Sequence, residues 1–456
     1  MTDSLAIQPA KPFNLTLSPP GSKSLTNRAL LLAALAEGAT TLSGVLFADD
    51  TQRMLDALEA LGFKLDIDQA AHTVTVHGQG GVIPAKKADL KLGNAGTAMR
   101  FLTAALCLGK GEYTLDGIER MRERPIAELV EPLRELGADI EYLGNEGFPP
   151  LRIKGTGEFA GGFLTLEPTL SSQFISAMLM IAPHTDRGIT ITFDGEITSL
   201  PYIRMTLKLM AHFGAEYAWG GAKSTAVRVT RGGYRAKPYT IEPDASNASY
   251  FLAAAAVVPG STCTINNLGS ESVQGDADFC DILGLMGCKV SQKTNATTVS
   301  APNNGRLKGV DVRMHRMPDM AQTLAAVAMF ADGPTTIRKI GNLRVKETDR
   351  IDALQQELTK LGAQVQTTRD RLCVIPPIGQ SGGNGLTPAA VDTYDDHRMA
   401  MALSVIGLAA APGTVTINDP SCVNKTFPQY WDYMQKLHDA AIDGQTGQTS
   451  QTGQTP

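Results

Sequence analysis

Lysine and arginine stand in this sequence where a helix has least use for them. Lys23, Arg28, Arg100, Arg124, Lys346, Arg350, Arg398 and Lys425 each lie in or beside a turn that opens a predicted helix. A cation there opposes the partial positive charge of the helix N-terminus and costs about 0.3–1 kcal/mol where it is unscreened. Eight such placements make sense if an anion lies among them, held by free N–H groups and side chains together. Attraction across ~4 Å is worth about 4 kcal/mol at an effective dielectric near 20, so a ligand with several negative charges offsets the crowding. The chemistry expected is recognition of an anion that carries several negative charges.

Other polar residues at these turns have an ordinary reading. Asp49, Asp50, Asp244, Ser246 and Asp276 are expected to cap helices. Lys346 and Arg350, four apart, are expected to share a helix face, with Glu347 shielding one of them. PPGSKS lacks the spacing of a nucleotide P-loop. LGNAGTAMR sets glycines around a short polar loop, where backbone N–H groups can approach a ligand. His397, between Asp396 and Arg398, fits a capping histidine as well as a site residue.

The turns belong to a repeat. Six times the chain runs through an apolar helix, a Gly turn, a Thr/Ile-rich strand, a polar loop, a second helix and another strand. ALLLAALAEGATTLSG and FLAAAAVVPGSTCTINN are two copies of the opening half. Helices as apolar all round as FLAAAAVV and LAAVAMFA need to be enclosed, which favours closed globules over an open solenoid. With 456 residues the chain exceeds one comfortable core. The expectation is an α/β protein of two domains, each of three units with helices enclosed by sheet: residues 21–240, and residues 1–20 plus 241–437. Pro19-Pro20-Gly21 and GGYRAKPYTIEPD are candidate hinges, and the cleft between the domains is the expected ligand site. Residues 438–456, ending in DGQTGQTSQTGQTP, are expected to be disordered.

Composition narrows the function classes. Forty-one basic against 46 acidic side chains leave a formal charge of −5, which gives no global field for nucleic acid or anionic membrane. The six cysteines show no C-x-x-C and His never falls as H-x-x-x-H, so reduced thiols are expected rather than a metal site or disulfides. MTDSLAIQPAKP has no apolar targeting core and no membrane-spanning run is visible, which predicts a cytoplasmic protein.

PPGSKSLTNRALLLAALAEG, LKLGNAGTAMR, RMRERPI, SSQFISAMLM, EPDASNASYFLAAAA, MPDMAQTLA, NLRVKETDRI, YDDHRMAMAL and KTFPQYW together resemble the 5-enolpyruvylshikimate-3-phosphate synthase family, in order along almost the whole chain. The resemblance implies an inside-out α/β barrel fold in both domains, with the active site in the interdomain cleft. It implies transfer of the enolpyruvyl group of phosphoenolpyruvate to the 5-hydroxyl of shikimate 3-phosphate, without metal or organic cofactor, by a monomer. Matched by position, Lys23, Ser24, Arg28, Ser171, Ser172, Gln173, Ser199, Tyr202, Asp319, Asn342 and Lys346 resemble the contacts of shikimate 3-phosphate. Lys23, Asn94, Gly96, Arg124, Gln173, Arg350, His397, Arg398 and Lys425 resemble those of phosphoenolpyruvate. Asp319 matches the residue that takes the hydroxyl proton, Glu347 an acid/base beside the methylene carbon, and Lys23 completes the catalytic set.

Phe101 departs from the pattern, since the best-known bacterial and plant members carry Pro there. Gly96 matches glyphosate-sensitive members, whereas Phe101 is expected to shift the phosphoenolpyruvate pocket. Two rivals remain. UDP-N-acetylglucosamine enolpyruvyl transferases carry a reactive Cys in the second unit, where GKGEYTLDGIERMRER has none. A non-catalytic phosphometabolite-binding protein needs the basic cleft but not both Asp319 and Glu347.

Overall fold

Helices without a polar side decide the architecture. In the computed structural model, which describes residues 4–167, 171–195, 197–219, 225–377 and 385–442, each unit opens on a helix buried in a core. These are Lys23–Leu35, Gly96–Ala105, Ser172–Ile181, Ala245–Val257, Ala321–Ala328 and His397–Leu408. Every residue of Ala245–Val257 and of His397–Leu408 is buried, as an all-apolar helix requires. The second helix of a unit is amphipathic and keeps one face in solvent. In Asp49–Ala60, Met54, Leu55 and Leu58 point inward while Arg53 and Asp56 are exposed. Enclosure by sheet therefore belongs to the first helix of each unit.

The strand that follows each first helix is the centre of a small sheet. Lys110–Asp116 pairs in parallel with Lys87–Lys91 and antiparallel with Leu151–Thr156, which in turn pairs with Asp139–Tyr142. Units one, three, four and five repeat this order. Two units borrow their parallel strand from elsewhere in the chain. Asn14–Leu17 supplies it to Thr262–Asn266 of unit four, and Tyr234–Arg235 with Tyr239–Thr240 supply it to Ala36–Ser43 of unit one. In unit six, Val415–Asn418 lies between Ala389–Val391 and Ser4–Ala6.

The borrowed strands force the chain to cross twice between two cores. Buried apolar side chains form one group running from Leu25 to Ile241 and another joining Ile7–Leu17 to Ala245–Leu437. The crossings run side by side: Gly21 bridges Pro243, Ser22 N–H donates to Glu242 O at 2.8 Å, and Asp244 N–H to Pro20 O at 2.9 Å. A Cβ on Gly21 would fall 1.8 Å from Gly44 O, so no other residue fits this crossing.

All six cysteines are free thiols, five of them buried. No helix among the described residues is long and apolar enough to cross a membrane. The expected disorder from residue 438 starts too early: the last helix, Tyr430–Asp439, extends past it, and Ile442 N–H donates to Pro12 O at 2.8 Å. Its cause is the apolar face of that helix, where Met434 and Leu437 are buried. Residues 443–456 lie outside the described residues.

Candidate active site

The N-termini of five of the six buried helices, all but Ala245–Val257, meet at one cavity between the two cores. It is lined by Lys23, Ser24, Arg28, Thr97, Arg124, Ser171, Ser172, Gln173, Ser199 and Tyr202 from one side and by Pro318, Asp319, Asn342, Lys346, Glu347, Arg350 and Arg398 from the other. Each stands there for a local reason. Ser22 and Ser171 cap their helices through their side-chain oxygens, which places Lys23, Ser24, Ser172 and Gln173 on the first turns. Ser199 takes a left-handed backbone at φ 54° to start Leu200–His212, and its N–H donates to His315 O of the other lobe at 2.8 Å.

Arg350 is the centre of the charged cluster. Its guanidinium reaches Asp319 Oδ1 at 3.0 Å, Glu347 Oε2 at 2.9 Å and Asp396 Oδ2 at 2.7 Å. Lys346 and Arg398 approach the Asp319 carboxylate at 3.5 and 3.6 Å. Arg124 and Lys425 approach Glu347 at 3.9 and 4.0 Å. Burial alone would raise both carboxyl pKa values, but the cations outweigh it. Lys346, Arg398 and Arg350 hold Asp319 far below the usual carboxylate range, and Arg350, Arg124, Lys425 and Lys23 do the same for Glu347. Both acids are therefore ionised at neutral pH. Asn342 Oδ1 and Arg398 Nη1 are buried without a hydrogen-bond partner, a condition that costs about 1–3 kcal/mol per group and that a polar ligand relieves.

Four expected residues lie behind this wall and act on it. Arg124 Nη1 donates to Asn94 Oδ1 at 2.9 Å, and Lys425 Nζ crosses between the lobes to Asn94 O at 2.9 Å. A Cβ on Gly96 would stand 2.7 Å from Arg124 Nη2, so glycine is what lets that guanidinium lie against the helix start. His397 is buried with neither ring nitrogen hydrogen-bonded, Nδ1 standing 3.8 Å from Asp396 Oδ1, and Asp396 caps that helix instead. Burial, with Lys23 and Arg398 adding to it, pushes the His397 pKa well down, and the ring is neutral.

Several expectations change here. Lys346 and Arg350 do not share a helix face, because Asp349 caps a helix that begins at Arg350; they converge on Asp319 from different segments. Ala48, not Asp49 or Asp50, occupies its cap position, and the Asp50 carboxylate instead binds Lys23 Nζ at 3.0 Å and Lys425 Nζ at 3.7 Å. Asp244 does cap its helix, while Ser246 and Asp276 bond to each other. Arg100 leaves the anion site and supports it from beneath, donating to Gly96 O and Pro125 O.

Residues 7–434 match the family described as EPSP synthase (3-phosphoshikimate 1-carboxyvinyltransferase). The chain belongs to the EPSP synthase family. It is 48% identical over 447 residues to the 3-phosphoshikimate 1-carboxyvinyltransferase of Yersinia pseudotuberculosis serotype O:3, covering 97% of this chain and 100% of that protein. The enzyme of that name from Serratia proteamaculans is 46% identical over 443 residues, with 97% and 100% covered. Among solved structures, EPSP synthase from Acinetobacter baumannii superposes with a TM-score of 0.78 at 26% identity, covering 96% of this chain and 98% of that one. The enolpyruvyl transferase NikO from Streptomyces tendae shares the fold, with a TM-score of 0.73 at 19% identity over 95% of this chain and 96% of that one.

Within this EPSP synthase family chain, Phe101 packs from the Gly96–Ala105 helix against Arg28. It is fully buried, and Arg28 Cζ sits 5.0 Å from its ring centroid. The ring thus supports Arg28, whose guanidinium also donates to Thr206 Oγ1, Ser24 O and Ser176 Oγ. Arg120 carried no sequence signal beyond its place in a basic run. It reaches across the lobes to Glu347 O at 3.0 Å and Lys346 O at 3.1 Å. Thr97 also lines the cavity, and its motif was the available sign.

Proposed function

We propose that this chain transfers the enolpyruvyl group of phosphoenolpyruvate to the 5-hydroxyl of shikimate 3-phosphate, releasing phosphate, on the route to chorismate and the aromatic amino acids. One observation carries the reading: two carboxylates, Asp319 and Glu347, hang on a single buried guanidinium in a cavity ringed by cations from both lobes. Lys23, Ser24, Arg28, Ser171, Ser172, Gln173, Ser199, Tyr202, Asn342 and Lys346 hold shikimate 3-phosphate beside Asp319. Lys23, Asn94, Gly96, Arg124, Gln173, Arg350, His397, Arg398 and Lys425 hold phosphoenolpyruvate. Asp319 takes the hydroxyl proton as the oxygen attacks C2, and Glu347 gives a proton to the methylene carbon, forming a tetrahedral adduct. Glu347 then recovers a proton from the new methyl group as the C2–O bond to phosphate breaks, and the proton on Asp319 leaves with phosphate. Before substrate arrives both acids are ionised and weakly basic. Anionic substrates engage Arg350, Arg124, Lys425 and Lys23, which relieves their pull on Glu347 and raises its proton affinity, so that Glu347 takes up a proton from solvent as the substrates bind and holds it for the methylene carbon.

The scheme uses no metal or organic cofactor. We read the two domains as residues 21–240 and residues 1–20 plus 241–442, acting as a monomer in the cytoplasm. Mixing the purified protein with both substrates is expected to release phosphate, and Asp319→Ala or Glu347→Ala to lower kcat about 10²-fold or more, the scale of a lost acid or base, while substrate binding changes far less. No release by the wild type would overturn the reading. Turnover with UDP-N-acetylglucosamine as acceptor would assign the sister activity, and binding of both substrates without release would assign a binding protein.

A further inference from the structure

Asp276 has no part in the reaction just described, yet it is built into the seam between the lobes. It sits in a short 3-10 turn of the second lobe, Gly275–Asp278, and is 3% exposed. Tyr202 of the first lobe donates its hydroxyl to Asp276 Oδ2 at 2.9 Å, and Ser246 Oγ donates to the same oxygen at 2.5 Å. Arg398 Nη2 in turn donates to Ser246 Oγ at 3.3 Å. Asp276 Oδ1 has no hydrogen-bond partner. Burial, and after it the nearby Asp319 charge, push the Asp276 pKa up to about 6 against the opposing pull of Ser246, Arg398 and Tyr202. A buried, half-satisfied carboxylate is poorer for stability than an apolar side chain of its size. The approach is also specifically permitted: a Cβ on Gly275 would fall 2.2 Å from Pro201 Cβ, the residue before Tyr202.

We propose that Asp276 is a positioning residue that converts closure of the two lobes into alignment of one contact for each substrate, Tyr202 directly and Arg398 through Ser246. The proposal rests on the substrate assignment made above. Tyr202 and Arg398 both line the cavity, but they come from different lobes and do not bond to each other in the described structure. Asp276 joins them only when the lobes are together, so neither pocket half is fully ordered until the other is in place.

Four single variants and one double variant test this through separate KM values for the two substrates, with thermal melting to establish folding. Tyr202→Phe is expected to raise KM for shikimate 3-phosphate, and Ser246→Ala KM for phosphoenolpyruvate. Asp276→Asn is expected to raise both by about tenfold, the effect of one misaligned hydrogen-bonding group, with a smaller change in kcat. Gly275→Ala, which leaves every polar group intact, is expected to raise both as well, and it decides the matter should Asp276→Asn fail to fold. The Tyr202→Phe/Asp276→Asn double variant should bind shikimate 3-phosphate no worse than the weaker single variant. A folded Asp276→Asn that alters one KM or neither, or strict additivity in the pair, overturns the proposal. If the wild type releases no phosphate, the functional reading fails instead, and the same pair is judged by coupling in unfolding free energy: additivity there removes the joint too.

Discussion

At the scale of single residues, charge and contact pull against each other. Arg28 is fully buried, and desolvation lowers its pKa to about 10 despite Tyr202 nearby. The Phe101 face offsets part of that cost. Phe101→Leu keeps most of the volume but loses a cation–π contact worth about 0.5–2 kcal/mol, so KM for shikimate 3-phosphate should rise about 2- to 30-fold while KM for phosphoenolpyruvate moves less. The opposite split in a steady-state titration would return Phe101 to the phosphoenolpyruvate side, where its sequence position alone would put it. Protonation gives a second test. Asp319 and Glu347 have depressed pKa values, so the stability they contribute is present above the ordinary carboxyl range near pH 4 and is lost as pH falls below it. Asp276 works in reverse. Its folded pKa of about 6 lies above the unfolded value, so its contribution is full below about pH 4 and declines as pH rises through 6. Asp276→Asn should flatten the decline between about pH 4 and 6 in urea unfolding and leave the acid limb unchanged. An unchanged slope in that window would mean the carboxyl is not protonated where burial puts it.

At the scale of elements, the helix starts explain both what could be read in advance and what could not. Cations at positive helix ends are a local mismatch, visible from residue type and place alone, and Lys23, Arg124, Arg350, Arg398 and Lys425 all came to one site. Apolar helices without a polar side likewise announced their burial. Acidic residues at helix starts gave no such contrast, because an N-cap and an ion-pair partner look alike in sequence. Asp244 caps, while Asp50 binds Lys23 and Lys425. Contacts across the seam were beyond reach for another reason: Arg120 meets Glu347 from 227 residues away, and Lys425 meets Asn94 from 331. That Arg120 contact carries its own prediction. The segment 346–348 lies between a 3-10 turn and the Arg350–Lys360 helix, and two carbonyls of its backbone are held by this guanidinium. Arg120→Ala removes charged hydrogen bonds of about 1.5–3 kcal/mol, so kcat should fall about 10- to 100-fold, with melting within a few degrees of wild type because the side chain is partly exposed. A change confined to melting would make Arg120 a plain surface tie.

At the scale of the whole molecule, the two halves cohere for different reasons within and between them. Each has its own buried apolar group, whereas the contacts across the seam are largely hydrogen bonds, Lys425 to Asn94, Arg120 to the 346–347 backbone, Ser199 to His315 and Tyr202 to Asp276, beside the packing of Val273 on the first core. Two cores joined by a polar seam should unfold as two cooperative units. A ligand whose phosphate and hydroxyl groups engage both sides binds only when both are folded and adjacent, so its binding energy couples them. At a concentration about 100 times its Kd such a ligand adds about 2.7 kcal/mol to the assembled state. Scanning calorimetry of the free protein should therefore resolve two overlapping transitions, and saturating shikimate 3-phosphate should merge them into one at higher temperature. The merging can come only from a ligand shared between lobes. If shikimate 3-phosphate moved one transition and left the other in place, that substrate would lie wholly on one lobe, and the seam residues assigned to it, Asp319, Asn342 and Lys346, would have to be reassigned.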